Sequence, residues 1–171
     1  MALGGDDLES RFDEIVRLHG AALRRLARAY AQTETDADDL FQEICFALWR
    51  ALPGFRGECS DRTFAFRIGH NRGLTFRHRQ RVQPVELSET LAARDPGPDT
   101  LATRAIRRDR LLDAVRGLPG GHRQVVLLSL EGLSQAEIGE VLGISENNVA
   151  VRLNRAKKRL RTALGTEGGD E

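Results

Sequence analysis

The 171-residue sequence has few of the features that accompany export, membrane insertion or metal binding. Its two cysteines, Cys45 and Cys59, are too few for a disulfide framework, and no Cys/His cluster has zinc-ligand spacing. No apolar run approaches the roughly 20 residues that span a bilayer, and the acidic first residues lack the basic-then-apolar layout of a secretory signal. These absences predict a reduced, cytoplasmic protein without membrane insertion and without a metal.

Catalytic patterns are missing as well. The sequence has no recognisable Ser/His/Asp arrangement, no paired carboxylates and no glycine-rich loop that would hold a phosphate. We therefore expect a protein that is not an enzyme and that needs no cofactor.

Basic charge is confined largely to two segments. The net charge is only +1, yet residues 62–81 and 149–164 each carry six basic residues and no acidic one. The remainder of the chain holds 14 basic against 25 acidic residues. Two basic segments on an acidic body predict two docking surfaces for a polyanion, although two solvated helix faces would explain the charges equally well.

Helical periodicity runs through the chain and predicts an all-α fold. Residues 82–103 contain three of the five prolines together with several acids, a composition typical of a flexible linker. We therefore predict two small helical domains, residues 1–81 and 104–171, joined by a linker over 82–103. The linker should let the two domains adopt more than one relative arrangement.

Capping residues predict where several helices begin. Thr35 is expected to cap the second helix, and Ser134 with Glu137 forms a full capping box. Gly143 then permits a sharp turn before Ser145 caps the last helix. A short helix, a glycine turn and a longer helix have the layout of a helix-turn-helix.

The last helix divides into two faces. Val149, Leu153, Ala156 and Leu160 are spaced to pack, and Asn148, Arg152, Arg155 and Arg159 lie opposite. A helix that presents Asn and Arg suits the major groove of DNA. The alternative is an ordinary helical hairpin with a solvated basic face.

Two further helices carry suggestive side chains. In the third, arginines alternate with Phe64, Phe66 and Phe76, which favours binding to unpaired bases unless these rings belong to the core. In the second, an acidic run precedes Phe46 and Trp49. Because Trp is enriched at interfaces, this helix is either a docking surface or a solvated acidic face.

Two motifs, in order, resemble bacterial extracytoplasmic-function (ECF) sigma factors. Conserved region 2 of that family is similar to DADDLFQE at 36–43, ALWRAL at 47–52, FRG at 55–57, TFAFRI at 63–68 and Asn71. Region 4 is similar to LP at 118–119, QVVLL at 124–128, GLSQAEI at 132–138 and LGI at 142–144. The resemblance covers residues 10–81 and 104–164.

This resemblance implies a transcription initiation factor that binds core RNA polymerase and directs it to promoters. The second helix would dock on the coiled coil of the largest polymerase subunit through Asp39, Leu40, Gln42, Glu43, Trp49 and Arg50. An unpaired base of the −10 element would be captured by Phe55, Arg56, Gly57, Glu58, Cys59, Ser60, Arg67, Asn71 and Arg72. The duplex −35 element would be read by Asn147, Asn148, Arg152, Asn154, Arg155 and Lys158. An anti-sigma factor is a further implied partner.

Some positions depart from the family pattern. Asp61 stands where an aromatic residue is frequent, and Thr75 where an acid is frequent. Ala150 and Val151 stand where relatives often place polar or basic readers, so −35 recognition should depend on their neighbours. The competing interpretation is a stand-alone helix-turn-helix regulator with an N-terminal dimerisation or sensing domain. A helical bundle that only binds other proteins would leave both basic segments unexplained.

Overall fold

The computed structural model describes residues 5–82 and 101–165, and within these ranges every regular element is a helix. The elements are α1 (Gly5–Tyr30), α2 (Glu34–Ala51), a 3₁₀ turn (Leu52–Gly54), α3 (Asp61–Val82), α4 (Leu101–Arg116), α5 (Gly120–Leu130), α6 (Gln135–Leu142) and α7 (Glu146–Leu164). No helix in the described ranges is long and apolar enough to cross a membrane. The predicted all-α fold with two helical domains is confirmed, while most of the predicted linker lies outside the described residues.

Helices α1 to α3 pack together as the N-domain. The largest fully buried side chains are Ile15, Leu23 and Leu26 from α1, Leu40, Ile44 and Leu48 from α2, and Phe66 from α3. A Cβ atom on Gly73 would lie 2.5 Å from the ring of Tyr30, so α3 approaches α1 closely only because glycine stands there. The Tyr30 hydroxyl lies 2.7 Å from Nδ1 of His70 in the same buried layer.

Helices α4 to α7 form the C-domain. Its core brings together Val115, Val125, Leu128, Ile138, Val149 and Leu153. A Cβ atom on Gly139 would lie 2.7 Å from the carbonyl oxygen of Ile144, which shows how tightly α6 approaches the turn before α7. This close approach sets the angle between the two helices of the helix-turn-helix.

In the C-domain the helices have the predicted caps. The cap predicted for α2 is not the one observed. The Ser134 hydroxyl accepts a hydrogen bond from the backbone N–H of Glu137, whose carboxylate accepts one from the N–H of Ser134. Ser145 caps α7, and Gly143 has a left-handed conformation with φ +67°. The predicted cap on Thr35 is wrong. Thr33 has the extended backbone of a cap and accepts from the N–H of Asp36, so α2 begins earlier.

The two domains are in direct contact in the described structure, through α3 with α6 and α1 with α5. The carboxylate of Glu131 accepts hydrogen bonds from Arg25 of the N-domain, the shortest being 2.7 Å. Arg62 donates to the carbonyl oxygen of Glu131 at 2.9 Å, and Arg67 donates to that of Glu140 at 3.1 Å. We call this set of bonds the interdomain contact.

Candidate functional site

The outer face of α2 is acidic and carries two exposed aromatic rings. Phe46 is 63% exposed and Trp49 is 43% exposed, while Asp39 and Gln42 are exposed beside them. Trp49 nevertheless makes an edge-to-face contact with Phe12 of α1, with ring centroids 5.3 Å apart. Since one edge of the indole is fixed by packing, the remainder is a rigid apolar surface available to a partner.

Two of the residues predicted on this face have other contacts. Leu40 is fully buried, because it lies on the inner side of α2 with Ile44 and Leu48, so its side chain is part of the core and not of the exposed face. Glu43 is half-buried and forms an ion pair with Arg79 of α3 at 2.7 Å. The pair ties the acidic face to the basic end of α3.

A cleft between α2 and α3 extends the exposed face. Its lining includes Glu43, Phe46, Arg50 and Arg72. The guanidinium of Arg50 lies 5.7 Å from the centre of the Phe46 ring. Arg72, predicted to bind −10 DNA, therefore shares this cleft with residues predicted to bind polymerase.

The loop predicted to capture an unpaired base is held by contacts from three sides. Its first residue, Phe55, is only 8% exposed and stacks on Phe64 with ring centroids 4.1 Å apart. The guanidinium of Arg11 lies 4.9 Å from the Phe55 ring and forms a 2.6 Å ion pair with Asp61. At the other end, the Ser60 hydroxyl accepts from the N–H of Thr63 and thereby caps α3. The loop backbone is therefore preorganised.

The remaining loop residues differ in exposure. Arg56, Gly57 and Glu58 are exposed, and Gly57 has φ +77°, a conformation that favours glycine. Cys59 is half-buried. Burial raises the pKa of the Cys59 thiol, while the charge of Arg67 lowers it and that of Glu140 raises it. Because Arg67 and Glu140 belong to the interdomain contact, Cys59 lies beside that contact.

The phenylalanines of α3 are core residues rather than stacking platforms. Phe66 is fully buried and Phe76 is 9% exposed, while Phe64 is covered by Phe55. The alternation of arginine and phenylalanine along α3 therefore reflects one inward and one outward face. The interpretation as base-stacking surfaces is wrong for Phe66 and Phe76, which are buried, while Phe64 is half-buried with its ring stacked on Phe55.

Arg67 and Asn71 lie one turn apart on α3, on the side nearest the C-domain. Asn71 is exposed, and the Arg67 side chain reaches the backbone of α6. Arg62, which belongs to the predicted basic segment but not to the residues predicted to bind −10 DNA, joins the same surface and lies 3.7 Å from the carboxylate of Glu137. The C-domain therefore covers part of the face predicted to bind −10 DNA.

The outer face of α7 is exposed and largely polar. The exposed residues include Asn147, Asn148, Asn154, Arg155 and Lys158. Opposite them, Val149, Leu153 and Ala156 are buried, as predicted. The helix thus presents amides and cations on its outer face, which suits both base edges and phosphates.

Arg152 occupies the edge of this face. Its Nε donates to the Oδ1 of Asn148 at 2.9 Å, and its guanidinium lies near the backbone of Gly121 at the start of α5. Burial, with the nearby charges of Arg159 and Arg155, lowers the pKa of His122. The start of α5 therefore joins the basic surface of α7, although the sequence offered no spacing signal that connects them.

Comparison with known proteins assigns a family to each of the two domains. Residues 15–82 match the Sigma-70 region 2 family and residues 108–160 match the Sigma-70, region 4 family. The RNA polymerase sigma factor CnrH of Cupriavidus metallidurans is 32% identical over 91% of this chain and 87% of its own length. The ECF RNA polymerase sigma factor SigM of Mycobacterium tuberculosis is 31% identical over 90% of this chain and 77% of its own.

Two solved structures share the fold. CnrH in complex with the cytosolic domain of CnrY superimposes with a TM-score of 0.70, at 29% identity, over 94% of this chain and 91% of that one. The sigma factor RpoE from Bartonella quintana, in complex with the anti-sigma factor NepR, gives a TM-score of 0.72 over 92% of this chain and 99% of that one. At 19% identity, the second likeness concerns the fold alone.

A region 2 domain followed by a region 4 domain defines a sigma factor of the sigma-70 type. Within that class, the chain belongs to the ECF RNA polymerase sigma factors. It is accordingly a transcription initiation factor, which directs RNA polymerase to promoters, and sigma factors are not catalytic. The stand-alone regulator is not favoured.

Proposed function

We propose that this sigma factor acts through three separate surfaces: the outer face of α2 for core RNA polymerase, the loop after α2 with α3 for unpaired −10 DNA, and α7 for duplex −35 DNA. The observation that carries the proposal is the exposed acidic and aromatic face of α2, which has Phe46 and Trp49 at its centre. Large rings at the surface of a helix are costly to leave in water unless a partner covers them.

The proposed polymerase surface consists of Asp39, Gln42, Glu43, Phe46, Trp49 and Arg50. The rings supply apolar area and the acids supply charge, a combination that suits a partner helix with basic and apolar residues, such as the coiled coil of the largest polymerase subunit. Leu40 is not part of this surface. Its buried side chain packs α2 against the rest of the N-domain and so holds the surface in place.

The proposed −10 surface combines the preorganised loop with Arg67 and Asn71. Extruding a base costs a few kcal/mol, so a site whose backbone is already fixed has an advantage over a flexible one. Exposed Arg56 and Glu58 at the loop can contact the nucleotide. Arg67 can contact its phosphate once its bond to the carbonyl oxygen of Glu140 is released. Arg72 faces the α2 cleft and is better placed to support the polymerase surface.

The proposed −35 surface is the exposed face of α7, with Asn147, Asn148, Arg152, Asn154, Arg155 and Lys158. An anti-sigma factor is a further proposed partner. This is supported by RpoE of Bartonella quintana, which was solved with the anti-sigma factor NepR.

The polymerase surface can be tested by co-purification of the full chain with core RNA polymerase. Trp49→Ala and Asp39→Lys should each reduce the bound fraction, because one removes apolar contact area and the other introduces a repulsive charge. Asp13→Lys is the matched control, since Asp13 is an exposed acid on α1. Equal co-purification of all three variants and the wild type would contradict the assignment.

A further inference from the structure

One exposed residue of α7 does not fit a purely polar reading surface. Val151 is 40% exposed and lies on the side of the helix opposite Val149 and Leu153. At about 100° per residue, the positions three and four residues away fall on the same face. These neighbours are Asn147, Asn148, Asn154 and Arg155, all of them exposed. Val151 therefore lies at the centre of the face proposed to read the −35 element.

A single exposed aliphatic residue is ordinary on a protein surface. A function of Val151 is therefore indicated by its position on α7. At the centre of a face that enters the major groove, a side chain contacts base edges rather than phosphates. Valine has no hydrogen-bonding group, and the C5-methyl group of thymine is the apolar group that bases present in that groove. We propose that Val151 recognises the methyl group of a thymine in the −35 element. The inference rests on the proposed role of α7.

The contact between Asn148 and Arg152 strengthens this assignment. An asparagine that reads adenine accepts a hydrogen bond through Oδ1 and donates through Nδ2. Here Oδ1 of Asn148 already accepts a 2.9 Å bond from Nε of Arg152. This bond fixes the orientation of the Asn148 amide and takes up one of the two lone pairs of Oδ1, so reading adenine depends on a geometry that Arg152 already constrains, whereas the methyl contact of Val151 requires no rearrangement. Ala150, the other position of α7 that departs from the family pattern, is half-buried and less able to reach a base.

The experiment compares thymine with deoxyuridine, which lacks only the methyl group. The full chain is bound to core RNA polymerase, and its preferred −35 element is first selected from random duplex DNA. Each thymine of that element is then replaced singly by deoxyuridine. For the wild type, we expect one replacement to weaken binding about fourfold, the effect of removing one buried methyl group from an apolar contact.

Val151→Ala should bind thymine and deoxyuridine at that position with equal affinity. Leu164→Ala is the matched control, because Leu164 is also 40% exposed on α7 but lies at its end, and this variant should keep the fourfold preference. The inference is overturned if no thymine responds in the wild type, or if Val151→Ala keeps the response.

Arg155→Ala distinguishes failure of this inference from failure of the surface that it depends on. A weakened −35 duplex affinity in that variant would support α7 as the reading helix, whatever Val151 does. If Arg155→Ala and Val151→Ala both leave affinity and sequence preference unchanged, the proposed −35 surface and the methyl contact fail together.

Discussion

Removing the charge of Glu131 should loosen the association of the two domains. The Glu131 side chain is 9% exposed and accepts hydrogen bonds from Arg25, whose side chain is 57% exposed. A charge-assisted bond of this kind contributes roughly 1 kcal/mol once solvent screening at Arg25 is considered. If the domains exchange between packed and separated arrangements, Glu131→Gln should therefore raise the separated population about fivefold.

The alkylation rate of Cys59 measures the exchange between packed and separated domains without an introduced label. Its thiol is half-buried and is influenced by Arg67 and Glu140, which meet at the interdomain contact. Separation should expose the thiol and lower its raised pKa, so alkylation should accelerate up to about fivefold in Glu131→Gln. Cys45, on α2, serves as an internal reference, because the charged residue that affects the pKa of its thiol is Arg24 of the N-domain. Both rates are read from the same sample by mass spectrometry.

A charge exchange supplies the control for this prediction. Arg25→Glu should loosen the contact as Glu131→Gln does, and combining Arg25→Glu with Glu131→Arg should restore slow alkylation of Cys59. The reasoning is refuted if the Cys59 rate does not change in Glu131→Gln. It is also refuted if Cys45 accelerates by the same factor, since that would indicate a general loss of stability.

Three more predictions concern stability and DNA binding. Burial lowers the pKa of His70 to about 4 from 6.5, so the unfolded chain binds a proton that the folded chain does not, and stability should fall by about 2 kcal/mol between pH 7.5 and pH 5.0. His70→Gln should remove most of that dependence in urea titrations at the two pH values. Gly139→Ala should destabilise the fold by roughly 1–3 kcal/mol, because its Cβ would meet the carbonyl oxygen of Ile144, whereas Gly54→Ala has open space and should not. Thermal unfolding of both variants checks this. Lys158→Ala should reduce the slope of log affinity against log salt by about one, without changing sequence preference, in promoter binding by the holoenzyme.

Local features of this fold were predictable from the sequence. The capping box of Ser134 and Glu137, the turn at Gly143 and the two faces of α7 all depend on residues within a few positions of each other. Such signals are contained in short stretches of chain, so periodicity and capping rules find them. The cap of α2 was misplaced because two threonines, Thr33 and Thr35, both precede acids, and only the backbone conformation distinguishes them.

Features that depend on distant partners could not be predicted. Whether Phe66 stacks on a base or fills the core depends on α1 and α2, because both possibilities have the same spacing in the sequence. Leu40 was assigned to a surface by resemblance, yet it faces inward. The bond between Arg25 and Glu131 joins residues more than a hundred positions apart, and no local pattern encodes it.

Two bonds of the interdomain contact end on main-chain oxygens. Arg62 and Arg67 donate to the carbonyl groups of residues 131 and 140, and any amino acid at those two positions would present the same acceptor. Substitutions in the helix-turn-helix can therefore accumulate there without removing these bonds, whereas loss of either arginine removes one. Alanine substitution would detect these two bonds only at the arginines of α3, whereas substitution of Glu131 reports its separate side-chain bond with Arg25.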